Sequence, residues 1–144
     1  MGALGFGQKP VIMPHYPHLL AEDSWVWTEY LKAPITGLKK VWYDVHVGQP
    51  VELPNGASKM DKKIAAGITR KRIDVVAAVA GGYWVIELKP VGNMTALGQA
   101  LVYTRLFKAE YRPDGDVWPI VICGQLDRDL LEDYNNNDVG LIVV

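Results

Sequence analysis

"RIDVVAAVAGGYWVIELKP", residues 72–90, is almost wholly apolar, yet it carries Asp74 near its start and Glu87 and Lys89 near its end. Gly81-Gly82 in its middle is a strong two-residue turn signal between two β-branched and aromatic runs, so the stretch reads as a β-hairpin. A turn centred on the two glycines pairs residues whose numbers sum to 163. Val76 then faces Glu87, and Asp74 faces Lys89. Residues directly opposed, or two apart on one strand, share a face. All three charges therefore fall on one face at one end, with Asp74 and Glu87 as diagonal neighbours roughly 7–8 Å apart at Cα. Ile73, Val75, Ala77 and Val79 line the opposite face; Val76, Ala78, Tyr83 and Val85 share the face of the charges. A hairpin apolar on both faces is a central one, covered on both sides. Two carboxylates there are costly unless something neutralises them. Lys89 offers one charge and a divalent cation offers more. The plainer alternative is a structural Asp74–Lys89 ion pair with Glu87 in solvent.

Around the hairpin the chain reads as alternating elements. "AEDSWVWTEYLKAP" (21–34) predicts a helix capped by Asp23 or Ser24, with Val26, Trp27, Tyr30 and Leu31 as its apolar stripe and Pro34 as its stop. "KKVWYDVHVG" (39–48) predicts a strand and 49–59 a turn-rich connection with Asn55-Gly56. Residues 60–72 read as a short helix running into a strand start. "TALGQALVYTRLFKAEY" (95–111) predicts a helix capped by Thr95; a strand over 116–124, a short helix over 127–135 capped by Asp127 and a last strand over 139–144 follow. Residues 1–18, with three Gly and three Pro, read as an irregular arm. The whole, 1–144, reads as a single domain of mixed α/β class in the order αβββαβ, with an extra C-terminal helix and strand.

Composition excludes several classes. Hydrophobic residues make up 49% of the chain and five residues are Trp, which argues against disorder. A net charge of −1 argues neither for a globally basic nucleic-acid binder nor for an acidic tail. The single Cys123 lies in the apolar run "PIVICG" and reads as a small buried hydrophobe. "MGALGFGQKP" has no signal-peptide pattern, Phe6 stands where myristoylation wants Ser or Thr, and no run approaches a membrane span. The expectation is a soluble, intracellular (cytoplasmic) protein with no membrane partner.

Asp74, twelve residues, then Glu87-Leu88-Lys89, set in this strand order, resembles the PD-(D/E)xK nuclease superfamily, which includes restriction endonucleases and archaeal Holliday-junction resolvases. The resemblance covers about residues 22–124 and extends to "GQALVY" (98–103), similar to the Gln-x-x-x-Tyr element of RecB-type nuclease domains, with Gln99 and Tyr103 one turn apart on one helix face. Ile73 stands where the motif has its eponymous Pro, and Pro90 directly follows the Lys.

The resemblance implies a restriction-endonuclease-like core and a Mg²⁺-dependent nuclease hydrolysing DNA, with Mn²⁺ able to substitute. It implies that Asp74, Glu87 and the backbone carbonyl of Leu88 hold the metal, which suits a hard cation. Lys89 would orient the water or stabilise the transition state. The family's first helix supplies a further carboxylate: Glu29 is the candidate here, with Glu22, seven residues away, next. Gln99 and Tyr103 would position the Lys or the phosphate; otherwise they are ordinary surface and core residues. A phage or mobile-element origin suits so compact a build, and a homodimer suits a double-strand cutter, with 140–144 as an interface strand or an ordinary core strand. The alternatives are a non-catalytic nucleic-acid-binding module and a structural or interaction domain.

Six of the fifteen basic residues fall in fourteen positions: Lys59, Lys62, Lys63, Arg70, Lys71 and Arg72. Leading straight into Asp74, they are candidate phosphate contacts; a merely solvated loop is the other reading. His15, His18 and His46 lack companions for a metal site, and the five Trp read as core, with one or two able to stack on bases.

Overall fold

The computed structural model describes residues 2–144; Met1, the first residue of the arm, lies outside the described residues. The chain is mixed α/β: one five-stranded mixed sheet and, among the described residues, four α-helices. In chain order these are α1 (Ala21–Lys32), β1 (Lys40–Val47), α2 (Lys59–Thr69), β2 (Lys71–Val79), β3 (Gly82–Gly92), α3 (Met94–Tyr111), β4 (Asp116–Leu126), α4 (Leu131–Asn136) and β5 (Gly140–Val143). The sheet order is β1-β2-β3-β4-β5. β1, β2 and β3 are antiparallel, β4 lies parallel to β3 after the α3 crossover, and β5 lies parallel to β4. No helix among the described residues is long and apolar enough to cross a membrane.

The hairpin forms, but its turn is centred one residue earlier than the Gly-Gly pair suggests. Val79 pairs with Gly82 and Val76 with Val85, so Ala80-Gly81 are the loop. Gly81 has φ 84°, the positive value that the second turn position of a type II turn demands. Gly82 serves close approach instead: a Cβ there would sit 1.9 Å from the Asp116 carbonyl oxygen. The pairing sum is thus 161 rather than 163. A two-residue slip keeps every side chain on its face but moves Asp74 opposite Glu87, not diagonal to it.

Two layers cover the sheet. Val26, Trp27 and Tyr30 of α1 pack on Val75, Ala77, Ile86, Leu88, Ile120 and Ile122. On the other side Phe107 of α3 packs with Val76, Val85 and Val117, and Ala96 and Ala100 with Val121 and Cys123. The assignment of strand faces fails at one point. Ile73 packs with the α3 side, not with Val75 and Ala77. β1 shows the same switch: Val41 and Tyr43 pack on the α1 side, Val45 and Val47 on the α3 side. Between them Asp44 takes a left-handed φ of 53°, which breaks the alternation, and β2 follows its partner.

Several element ends differ from the sequence expectation. α1 begins at Ala21 with Leu20 at its N-cap and no side-chain cap, so Asp23 and Ser24 do not cap it. α3 is capped by Asn93, whose Oδ1 accepts from Ala96 N at 2.9 Å, not by Thr95. Asp127 caps a 3-10 turn over Arg128–Leu130, with α4 after it. The arm is irregular and covers the free edge of β1 through a Gln8–Val41 bridge. Of the five Trp, only Trp27 is fully buried; Trp25 is exposed.

Candidate functional site

The sheet opens where the charges sit. β2–β3 pairing ends at Val75–Ile86, although β2 runs back to Lys71 and β3 on to Gly92. Beyond that pair the two strands part. β3 stays in the sheet through β4, and β2 through β1. Asp74 spans the fork: its Oδ2 accepts a hydrogen bond from Leu88 N at 2.9 Å, replacing a missing ladder bond. Glu87 lies opposite on β3, 3% exposed, and among the described residues its Oε1 has no hydrogen-bond partner. Lys89 follows two residues on, on the same face of β3 and half-buried.

Burial shapes the electrostatics. It pushes Glu87 up to about 10, with the Asp74 charge adding to the effect and Lys89 opposing it. Asp74 is also raised by burial, against the pull of the Leu88 N–H and its hydrogen bond with Glu87. Burial thus favours the protonated form of both carboxyls. Among the described residues, Lys89 makes no direct ion pair with any carboxylate, so the Asp74–Lys89 pair that a structural reading expects is not formed.

A third carboxyl arrives from α1, and it is Asp23. Asp23 is 8% exposed and raised to about 6, first by burial and then by the charge of Asp74. Glu29 instead pairs with Lys32 at 2.8 Å on the surface, and Glu22 is exposed. The signal that singles out Asp23 is its spacing: 23, 26, 27 and 30 are the buried positions of α1, so Asp23 is the acid on the core-facing stripe. From the α3 layer come Gln99 and Tyr103. Gln99 Nε2 donates to the Tyr103 hydroxyl at 3.4 Å, and Gln99 Oε1 is buried without a partner among the described residues. The Tyr103 hydroxyl is raised by burial and then by the Glu87 charge, which puts it in the field of the fork.

Asp44, which the sequence does not single out, adjoins the fork from β1. Its charge raises Asp74. Its own carboxylate faces His18 Nε2, His46 Nε2 and Arg72 Nε, each at 3.4 Å.

The basic run divides. Arg70 belongs to the scaffold: it pairs with Glu110 and donates to the Gly48 and His46 carbonyls. Arg72 donates to Gly67 O at 2.8 Å and meets Asp44. Lys62, Lys63 and Lys71 are exposed and engage no acid among the described residues.

Chemically, the fork offers oxygen donors of the kind a hard cation prefers (Asp74, Glu87 and the Leu88 carbonyl), with Asp23 in their electrostatic field, and among the described residues Glu87 Oε1 has no partner. Among the described residues, no three His, Cys, Asp or Glu side chains are gathered into a ready-made ion cage. The donor set fits a cation held by two carboxylates, a carbonyl and water rather than an all-protein cage. No protein-family model, curated protein or solved structure matches this chain.

Proposed function

We propose that this chain is a Mg²⁺-dependent nuclease that hydrolyses DNA phosphodiester bonds on a restriction-endonuclease-like core, α2 being an insertion between its first two strands. One observation carries the reading. A half-buried Asp74 and a buried Glu87 face each other at a strand fork, with no ion pair among the described residues to neutralise them and with Lys89 on the same face. Burying charge without compensation is expensive, and a site that does so is a candidate for chemistry.

In this reading Asp74, Glu87 and the Leu88 carbonyl hold Mg²⁺ or Mn²⁺, with Asp23 in the place first given to Glu29. The bound cation would lower the pKa of a water and neutralise charge on the phosphate. Lys89 orients that water or meets the developing charge on the phosphoryl oxygens. Gln99 and Tyr103 hold the phosphate backbone from the α3 side. Lys62, Lys63 and Lys71 bind flanking phosphates.

A second reading has its own support. Burial favours a protonated Glu87, which removes its charge without any cation, as a structural or purely nucleic-acid-binding domain would need. One experiment separates the two. Labelled single-stranded, duplex, flap and four-way-junction DNAs are incubated with Mg²⁺, Mn²⁺ or EDTA, beside Glu87→Gln and Lys89→Ala. The nuclease reading expects metal-dependent cutting that both variants lose while folded, and proton release when Mg²⁺ is added to weakly buffered protein. Neither cutting nor proton release would leave the second reading standing.

A further inference from the structure

α2 has no buried residue, although it carries a regular apolar stripe. Met60, Ile64 and Ile68, at i, i+4 and i+8, expose 64%, 52% and 73% of their surfaces. Val51, on the preceding loop, is exposed as well, and a groove of about 540 Å³, lined by Leu53, Pro54, Ala57, Ile64 and Ala65 with Asp61 among them, separates that loop from the helix. An amphipathic helix ordinarily buries such a stripe, and an exposed one marks an interaction site.

The helix is nonetheless held in place. Ser58 and Asp61 cap its start reciprocally. At its end, Val51 N donates to Thr69 Oγ1 at 2.8 Å, Arg72 to Gly67 O and Arg70 to Gly48 O. α2 is thus an anchored projection whose outer face has nothing against it among the described residues.

Charge selects the occupant. Residues 49–72 carry six basic side chains against Glu52 and Asp61, in a chain of net charge −1. Lys59 and Lys63 form the i, i+4 row beside the stripe. Two copies packed stripe to stripe would oppose these lysine rows. A polyanion satisfies them and, if its bases are unstacked, offers apolar surface to the stripe as well. Position agrees: Thr69 lies five residues before Asp74, at most about 17 Å along an extended strand.

We propose that α2 is a wedge for strand-separated DNA, its lysines on phosphates and Met60, Ile64 and Ile68 against bases opened at a fork. This rests on the nuclease reading and narrows it: the substrate is forked or branched DNA rather than continuous duplex. Aliphatic side chains inserted at base steps unstack them, whereas lysine contacts to phosphate bind every sequence and structure alike.

The test is binding in EDTA, by fluorescence anisotropy, to a fork carrying 2-aminopurine at its junction and to the matched duplex. Met60→Gln/Ile64→Gln/Ile68→Gln keeps a helix-compatible, exposed surface. It should lose the fork preference, by on the order of tenfold, and the 2-aminopurine signal, with an unchanged salt slope. Lys59→Gln/Lys62→Gln/Lys63→Gln should weaken fork and duplex together and shrink the salt slope by about 2–3. The wedge is overturned if the stripe variant binds and unstacks as the parent does, or if the parent binds no DNA. It is equally overturned if sedimentation shows a dimer, or pelleting shows vesicle binding, that the stripe variant abolishes. A fork preference that persists without any Mg²⁺-dependent cutting would sink the nuclease reading and leave the wedge.

Discussion

Asp74 Oδ2 accepts a hydrogen bond from Leu88 N at 2.9 Å, at the point where β2 and β3 stop pairing. The carboxylate thus closes a gap in the sheet that a backbone carbonyl would otherwise fill. Asp74→Ala should leave that N–H without a partner and cost about 1–3 kcal/mol in urea denaturation. Asp74→Asn, which keeps an acceptor oxygen, should stay within about 1 kcal/mol of the parent. Under the nuclease reading both lose cutting, so stability and activity would part company in the Asn variant. Equal stability losses in the two would show that the hydrogen bond does not matter.

Glu87 predicts an unusual pH dependence for the metal-free protein. Its folded value, about 10, lies above the ordinary 4.5, so the folded state keeps a proton that the unfolded state has released. Stability should therefore be greatest at low pH and fall between about 4.5 and 10. Asp23, at about 6 against 3.8, adds the same sign at the acid end of that window. Thermal melts in EDTA should show Tm dropping from pH 5 to pH 9. Glu87→Gln should flatten the drop above pH 6 and melt higher than the parent at pH 8. A flat parental profile would contradict the burial argument.

The two α1 acids make opposite predictions. Under the nuclease reading, Asp23→Asn should reduce metal-dependent cutting by about 10²-fold or more, the scale of losing a well-placed acid-base or charge-stabilising group. Glu29→Gln breaks only an exposed pair with Lys32, worth about 0–1 kcal/mol, and should leave rates within about twofold. Initial rates on one DNA, at saturating Mg²⁺, decide between them. A larger loss in Glu29→Gln would restore Glu29 to the site.

Gly82 tests the hairpin. Any side chain there meets the start of β4, since its Cβ would lie 1.9 Å from the Asp116 carbonyl oxygen. Gly82→Ala should cost about 3 kcal/mol or more, because backbone must shift to admit it. Ala80→Gly, in the loop proper, should cost about 1 kcal/mol or less. Chemical denaturation of the pair reads the difference directly, and similar costs would argue for the turn centred on both glycines.

Much of the architecture is legible without coordinates, because alternation and helical spacing are local. The hairpin, the β3–α3–β4 crossover and the shared face of Glu87 and Lys89 follow from side-chain period and turn residues. The turn chemistry of Gly81-Gly82 placed the hairpin but not its register, because either glycine can occupy the positive-φ position and only the approach of Asp116 decides which. The Gln99 and Tyr103 pair was readable as a helix face, whereas its facing Glu87 depends on how α3 packs.

Residue types and their order along the chain determined the elements, the central apolar hairpin and the acid-acid-lysine set. Spacing along α1 puts Asp23, not Glu29, on the apolar stripe, and tertiary packing turns that stripe toward the set. The two acids differ only in which side of α1 they occupy, and that distinction acquires meaning once Val26, Trp27 and Tyr30 bury one side against the sheet. It also decided the fork itself. A left-handed residue at Asp44 turns β1, β2 follows its partner, and β3 follows β4 instead, so the strands separate where the charges lie. No local pattern encodes that divergence, because it arises from competition between pairings distant in sequence.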